Sequence, residues 1–342
     1  MENSMSRILI ETVVKKALKD IKDSPERGIR NLIDLALQFS GSRFQQNFFS
    51  TAQSMLQNEN SAYYGLVRNT VFNTDLDRLH TFGMNLGYNG CTVGARRIRQ
   101  NEEKMNCNIP WSFSIQIDTD RFEENRQRYH SLIQEGESLG IYVWMLFPME
   151  HAEKVLPLAA AHPDSAFCIF CTGSDLTAEF LDEAADLFNV MLIIRYKEQP
   201  SDIYIALQKM GLLYSVWYPY DQKDTELIIN GDLFSCTQQV SPVFTVLLPE
   251  PDCPQEIRRI AYQTVKRARS NQTFRTIAWE FQKDNCLIDS IISNDSCSVY
   301  LDKKGNLCDW DGKINSTAHN WSGHSLAEIL VRSCPKKQGD PL

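Results

Sequence analysis

From residue 110 onward the chain keeps switching between two hydrophobic periods, and no other feature constrains its fold as strongly. Phe113, Ile115 and Ile117 alternate with Ser112, Ser114 and Gln116, the two-residue repeat of a strand with unlike faces. Apolar runs of strand length follow at 141–147, 166–171, 190–195 and 213–217. Between them lie segments of helical length and pattern, at 123–139, 151–161, 176–188 and 201–210. Strands that alternate with helices form parallel βαβ units with right-handed crossovers. A sixth strand falls at 243–248 or at 274–280. Five or six such units are too few for a closed eightfold barrel but enough for a curved partial one. A doubly wound sheet gives a similar string, and periodicity does not separate the two.

The chain before this region reads as helical. Ile10, Val14, Ala17, Leu18 and Ile21 share one helix face. Ser24-Pro25 supplies an N-cap and a first-turn proline for a second helix. A basic helix at 93–104 carries Arg96, Arg97, Arg99 and Lys104; pairing with Glu102 and Glu103 or plain solvation explains it better than an anion site. The tail from 285 reads as irregular and polar. It holds a hairpin signal, 297–301 and 307–310 around Lys303-Lys304-Gly305. The expected division is therefore a helical region at 1–108, a β/α region at 109–284 and a small extension at 285–342.

The net charge of −8 and pI near 5.4 argue against a nucleic-acid backbone as partner, which needs clustered cations. No run of about 18 apolar residues is present, so no membrane-spanning helix is expected. The first twenty residues read as an amphipathic helix rather than a signal segment, and ten scattered cysteines suit free thiols in a reducing compartment. A cytoplasmic location is the expectation. Oligomeric state is not legible.

Several segments resemble radical S-adenosylmethionine (radical SAM) enzymes that carry a C-terminal SPASM extension. They are Phe82-Gly83-Met84-Asn85, Cys107-Asn108-Ile109-Pro110-Trp111, and Glu137-Ser138-Leu139-Gly140-Ile141-Tyr142. The resemblance implies an α/β fold: a partial (β/α)6 TIM-like barrel preceded by a helical region and followed by a small irregular extension. It also implies what has been lost. In the family, the loop after the first strand carries CxxxCxxC, whose thiolates hold a [4Fe–4S] cluster. Here that loop is cut to roughly Thr119–Glu123 and has no cysteine. After the second strand the family's Gly-Gly-Glu-Pro becomes Pro148-Met149-Glu150-His151, in which Glu150 alone survives. Thr172 and Gly173 follow the third strand, and Arg195 stands where a polar or acidic residue faced the cofactor. Glu150, Thr172, Gly173 and Arg195 thus mark a remnant S-adenosylmethionine region, and binding of that cofactor is not expected. By the same resemblance, Cys286, Cys308 and Cys334 sit where auxiliary cluster ligands occur, with Cys297 as a further candidate.

The residues admit three readings. A non-enzymatic module for a peptide or partner protein is the leading one. An iron–sulfur redox protein using Cys286, Cys308 and Cys334 is the second. The third is an enzyme with altered chemistry at the barrel mouth, using Glu150, Arg195 and the Trp217, Tyr218 and Tyr220 cluster, because the C-terminal end of a β/α strand is where ligands bind. Cys168 and Cys171 form a nominal CxxC, but on a strand they point to opposite faces, so core packing is their expected role. Glu150 and His151 with His162 are read as helix capping and surface rather than an acid–base set.

Overall fold

The computed structural model describes residues 2–38, 43–196, 201–293, 295, 297–310 and 319–336. Its strands are β1 (Ser112–Ile117), β2 (Val143–Pro148), β3 (Ala166–Cys171), β4 (Val190–Arg195), β5 (Tyr214–Tyr220), β6 (Phe244–Pro249), β7 (Ile277–Glu280), β8 (Val299–Leu301) and β9 (Leu307–Asp309). Both candidate positions for a sixth strand are strands. Helices separate consecutive strands from β1 to β7, as the alternating periods require. The protein is thus a mixed α/β fold built on parallel pairing. The chain divides into two compact units, one of residues 1–81 with 192–281 and one of 82–191 with 282–342.

In the second unit the strand order is β3-β2-β1-β8-β9. β1 pairs in parallel with β2 from Ser112↔Val143 to Ile117↔Pro148, and β2 pairs with β3 from Val143↔Ala166. β8 joins β1 in parallel and turns back antiparallel into β9. The tail hairpin therefore extends the sheet. Register and alternation place Phe113, Trp144 and Phe167 on one face and Ser114, Met145 and Cys168 on the other. The first face is covered by the helix Phe122–Leu139. There Gly136 lets the fully buried Trp144 ring approach so closely that a Cβ would sit 2.5 Å from it.

The opposite face receives Asn285, whose Nδ2 reaches Met145 Sδ at 3.7 Å. Asn285 lies on the helix Phe281–Ser293, so the tail is not irregular at its start as expected. That helix has a mixed inner face, where Phe281 and Ile292 share burial with polar side chains. Its polar residues Asp284, Asn285, Asp289 and Ser293 are buried, while Leu287 and Ile291 are 46% and 44% exposed. An apolar-inward pattern is what periodicity detects, and here the buried polar residues interrupt it.

A rare π-helix, Met84–Gly94, leads into the helix Ala95–Met105. Gly94 lies against Gly140, the left-handed residue that ends the helix Phe122–Leu139. Here the lack of side chains lets two backbones touch.

In the first unit the order is β7-β6-β5-β4, all parallel. One core gathers Tyr220, Ile228, Leu233, Phe234, Leu247 and Val265. A second, around Ile21, Ile29, Tyr64 and Val71, joins the helices Glu2–Asp23, Pro25–Gln38 and Ala62–Asn73. The helix starting at Pro25 begins where the Ser24-Pro25 pair predicted. No helix among the described residues is long and apolar enough to cross a membrane.

Candidate ligand residues at the strand ends

In parallel β/α folds ligands gather at the C-terminal ends of strands, so those ends hold the candidate residues. In the second unit, β1 ends at Ile117 and four residues separate it from the helix Phe122–Leu139. The turn between closes on itself. Asp118 Oδ1 accepts from Asp120 N at 3.2 Å, and Lys154 Nζ donates to Thr119 O at 3.2 Å. A CxxxCxxC motif spans eight residues, and this turn has neither the length nor the thiols. The residues present do not fit a radical SAM cluster.

The ends of β2 and β3 are similarly committed. Pro148 has no N–H to offer, and Met149 N donates to Ile117 O at 3.1 Å. Glu150 is exposed, and His151 adopts a left-handed conformation with φ 53°. At the end of β3, Thr172 N and Oγ1 both donate to Asp175 Oδ2, at 2.7 and 2.8 Å, while Thr172 Oγ1 also meets Ser174 Oγ at 2.7 Å. Asp175 thereby closes a capping box over the turn Gly173–Asp175. The Met149 and Thr172 donors and the Asp175 carboxylate are thus spent within the protein.

Two further features lie on that face of the sheet. Phe147 stacks on Phe170 with ring centroids 4.1 Å apart. Asn285 is buried, and its Oδ1 has no hydrogen-bond partner among the described residues. A buried unpaired carbonyl is costly, on the order of 1–3 kcal/mol.

In the first unit, strand register sets Arg195 beside Trp217, and the guanidinium lies over the indole at 5.4 Å from the ring centroid. This cation–π pair is a ready platform for an aromatic or anionic group. Tyr218 and Tyr220 do not join it. They follow Trp217 on the other face of β5 and enter the apolar core. Tyr218 OH donates to Asp224 Oδ1 at 2.9 Å, and burial followed by that carboxylate pushes its phenol up to about 12. Tyr220 OH donates to Glu280 Oε1 at 3.1 Å, and burial raises it further. The aromatic cluster expected from the sequence is thus divided between the two faces. At the ends of β5 and β6 a cleft of about 850 Å³ is lined by Asp221, Gln222, Lys223, Glu250, Pro251, Asp252 and Pro254.

Cys286, Cys308 and Cys334 have three different surroundings. Cys286 is half-buried on the helix Phe281–Ser293. Cys308 Sγ lies 3.6 Å from Asn306 O, and burial raises its thiol. Cys334 partners Cys297 and Cys107 instead. A hydrogen bond that the Cys297 thiol donates to Cys334, then burial, raises Cys297 strongly. Burial, then Cys334, pushes Cys107 up to about 11. Asn108 N donates to Cys334 O at 2.7 Å, which ties the 107–111 segment to the last helix. In the sequence Cys107 counts only as the start of the Cys107–Trp111 run, because nothing near it marks a thiol partner so far along the chain. No group of three or more His, Cys, Asp or Glu poised to hold a metal ion occurs among the described residues. Cys168 is pushed up to about 12 by burial and Cys171 higher still, as inert core thiols are.

The same segment is anchored by two buried carboxylates. Glu102 Oε1 accepts from Ile109 N at 2.9 Å, and Lys336 Nζ lies 3.3 Å from its other oxygen. Asp289 Oδ1 accepts from Trp111 N at 2.7 Å. Burial lifts Asp289 to about 7 despite that bond.

No family model matches the chain, and no curated protein does. Solved structures resemble it. Streptococcus suis SuiB bound to precursor peptide SuiA superposes with a TM-score of 0.50 and 11% identity, over 69% of this chain and 68% of that one. SuiB bound to S-adenosylmethionine gives 0.49 and 11%, over 69% and 67%. SuiB alone gives 0.48 and 8%, over 89% and 81%. At such identity the first of these likenesses speaks to fold, and it supports the radical SAM-type β/α fold that the sequence resemblance implies.

Proposed function

We propose that this chain is a non-catalytic relative of radical SAM/SPASM proteins whose β/α scaffold binds a peptide. The observation that carries this reading is the turn after β1. It passes from strand to helix in four residues without a cysteine, in a fold shared with a protein solved bound to a precursor peptide. The spent donors of Met149 and Thr172 support loss of cofactor binding as well. The curved six-unit barrel, the degenerate extension and the reducing, cytoplasmic setting belong to the same proposal.

The Arg195–Trp217 platform is the anchor we assign to the peptide. Interface energy concentrates in Trp, Tyr and Arg side chains. Selection of a displayed peptide library on the full chain tests this. Enriched peptides should bind the wild type and lose at least about tenfold in affinity with Trp217→Ala, and similarly with Arg195→Ala. A library that yields no binder, or binders indifferent to both changes, contradicts the proposal.

A further inference from the structure

Away from the strand ends, His130, His162, Glu137 and Ser165 form a connected chain of side chains in the second unit. His130 and Glu137 stand seven residues apart on the helix Phe122–Leu139, and so on one face of it. His162 ends the helix Leu156–Ala161. The turn that follows is held firmly. Asn85 Nδ2 donates to Pro163 O and Ser165 O at 2.8 and 3.0 Å, and Asn89 Nδ2 to Asp164 O at 2.7 Å. Asn189 Nδ2 donates to His162 O at 3.1 Å. His162 is therefore fixed before any ligand arrives.

Glu137 Oε1 accepts from Ser165 Oγ at 2.7 Å, and its Oε2 lies 3.3 Å from His162 Nδ1. A carboxylate facing Nδ1 places the N–H there and leaves a lone pair on Nε2. That Nε2 lies 3.3 Å from His130 Nδ1, within hydrogen-bond reach when no ion is bound, and the two ring centroids are 5.5 Å apart. Two nitrogens bound tetrahedrally to one zinc ion, each at ~2.0–2.1 Å, stand about 3.3–3.4 Å apart.

We propose that His130 Nδ1 and His162 Nε2 form a two-histidine site for one divalent transition-metal ion of the zinc class. Glu137 holds His162 in the required tautomer from behind, as carboxylates do for metal-bound histidines. Water fills the remaining positions, since the His162 side chain is 10% exposed and His130 is half-buried. Arg126, one turn before His130, lies 3.5 Å from Glu123, which offsets its charge. A bound ion would tie the helix Phe122–Leu139 to the turn before β3.

Nickel and cobalt ions, added to the full chain, are the probes. One equivalent of Ni²⁺ should broaden the ring resonances of His130 and His162 before those of other histidines. This reading needs no variant. Co²⁺ should bind without the charge-transfer absorption that thiolate ligands give, which separates the site from the ten cysteines. His130→Ala should weaken Co²⁺ binding at least tenfold, and Glu137→Gln by about 10–100-fold, whereas Cys107→Ala should leave it unchanged. Uniform broadening, thiolate bands at the first equivalent, or equal affinity in His130→Ala would each overturn the site.

Discussion

Gly140→Ala should destabilise the protein by about 3 kcal/mol, from a strained backbone and an overpacked contact together. Gly140 has φ +110°, a conformation that side chains rarely adopt. An added Cβ would also lie 2.5 Å from Gly94 O and 2.9 Å from Ile98 N, both backbone atoms that no rotamer change can move. Its own N–H is bonded to Gly136 O at 2.9 Å, so the turn cannot relax without losing its cap. Two companions separate the causes. Gly94→Ala meets Gly140 O at 2.4 Å with an ordinary helical φ of −61°, and isolates the contact. Gly83→Ala meets nothing within 4 Å and should be neutral or slightly stabilising. Denaturant midpoints read all three. A loss below about 1 kcal/mol for Gly140→Ala would contradict the close approach.

The second large effect is a pH dependence centred on Asp289. Its folded pKa is raised from 3.8 to about 7, chiefly by burial, with Glu102 adding like-charge repulsion. A raised carboxyl pKa means that the folded chain holds the proton more tightly than the unfolded one. Its stabilising contribution is therefore present below about pH 4 and is lost as pH rises to about 7. Three pH units at 1.36 kcal/mol each set an upper size of about 4 kcal/mol. Asp289→Asn keeps an acceptor for Trp111 N and removes the titration. The variant should gain on the wild type steadily between pH 4 and pH 7, and level off above. Parallel stability curves would show that Asp289 does not titrate there.

Much of this architecture is written locally. Phe113, Ile115 and Ile117 announce β1 because one face of that strand is apolar and the other is not, and the register to β2 keeps it so. The runs at β3 and β4 were legible to the residue as continuous apolar stretches of strand length. The helix Phe281–Ser293 was not, because Asn285 and Asp289 point inward to Met145 and Trp111 while Leu287 and Ile291 face outward. Only a fold that already buries polar partners makes such a helix sensible. At the candidate ligand residues, the sequence grouped Arg195 and the Trp217 run at one barrel mouth, but not as a directly stacked pair. Alternation along β5 separates Trp217 from Tyr218 and Tyr220. The pairing of Arg195 with Trp217 depends on the register of two strands that no local pattern records. The thiol contacts of Cys334 with Cys107 and Cys297 are long-range in the same way. Asp175 spending its carboxylate on Thr172 is a local capping box, and a Thr172-x-x-Asp175 spacing could have signalled it.

The central claim is that this fold holds a peptide without radical chemistry, and reductive cleavage of S-adenosylmethionine tests it most directly. The full chain is purified anaerobically, reconstituted with iron and sulfide, reduced, and incubated with S-adenosylmethionine. No 5′-deoxyadenosine is expected above a protein-free blank, because the four-residue turn after β1 offers no thiolate to hold the cluster. Cleavage at one or more equivalents per chain would contradict it and require a cluster held by residues outside that turn.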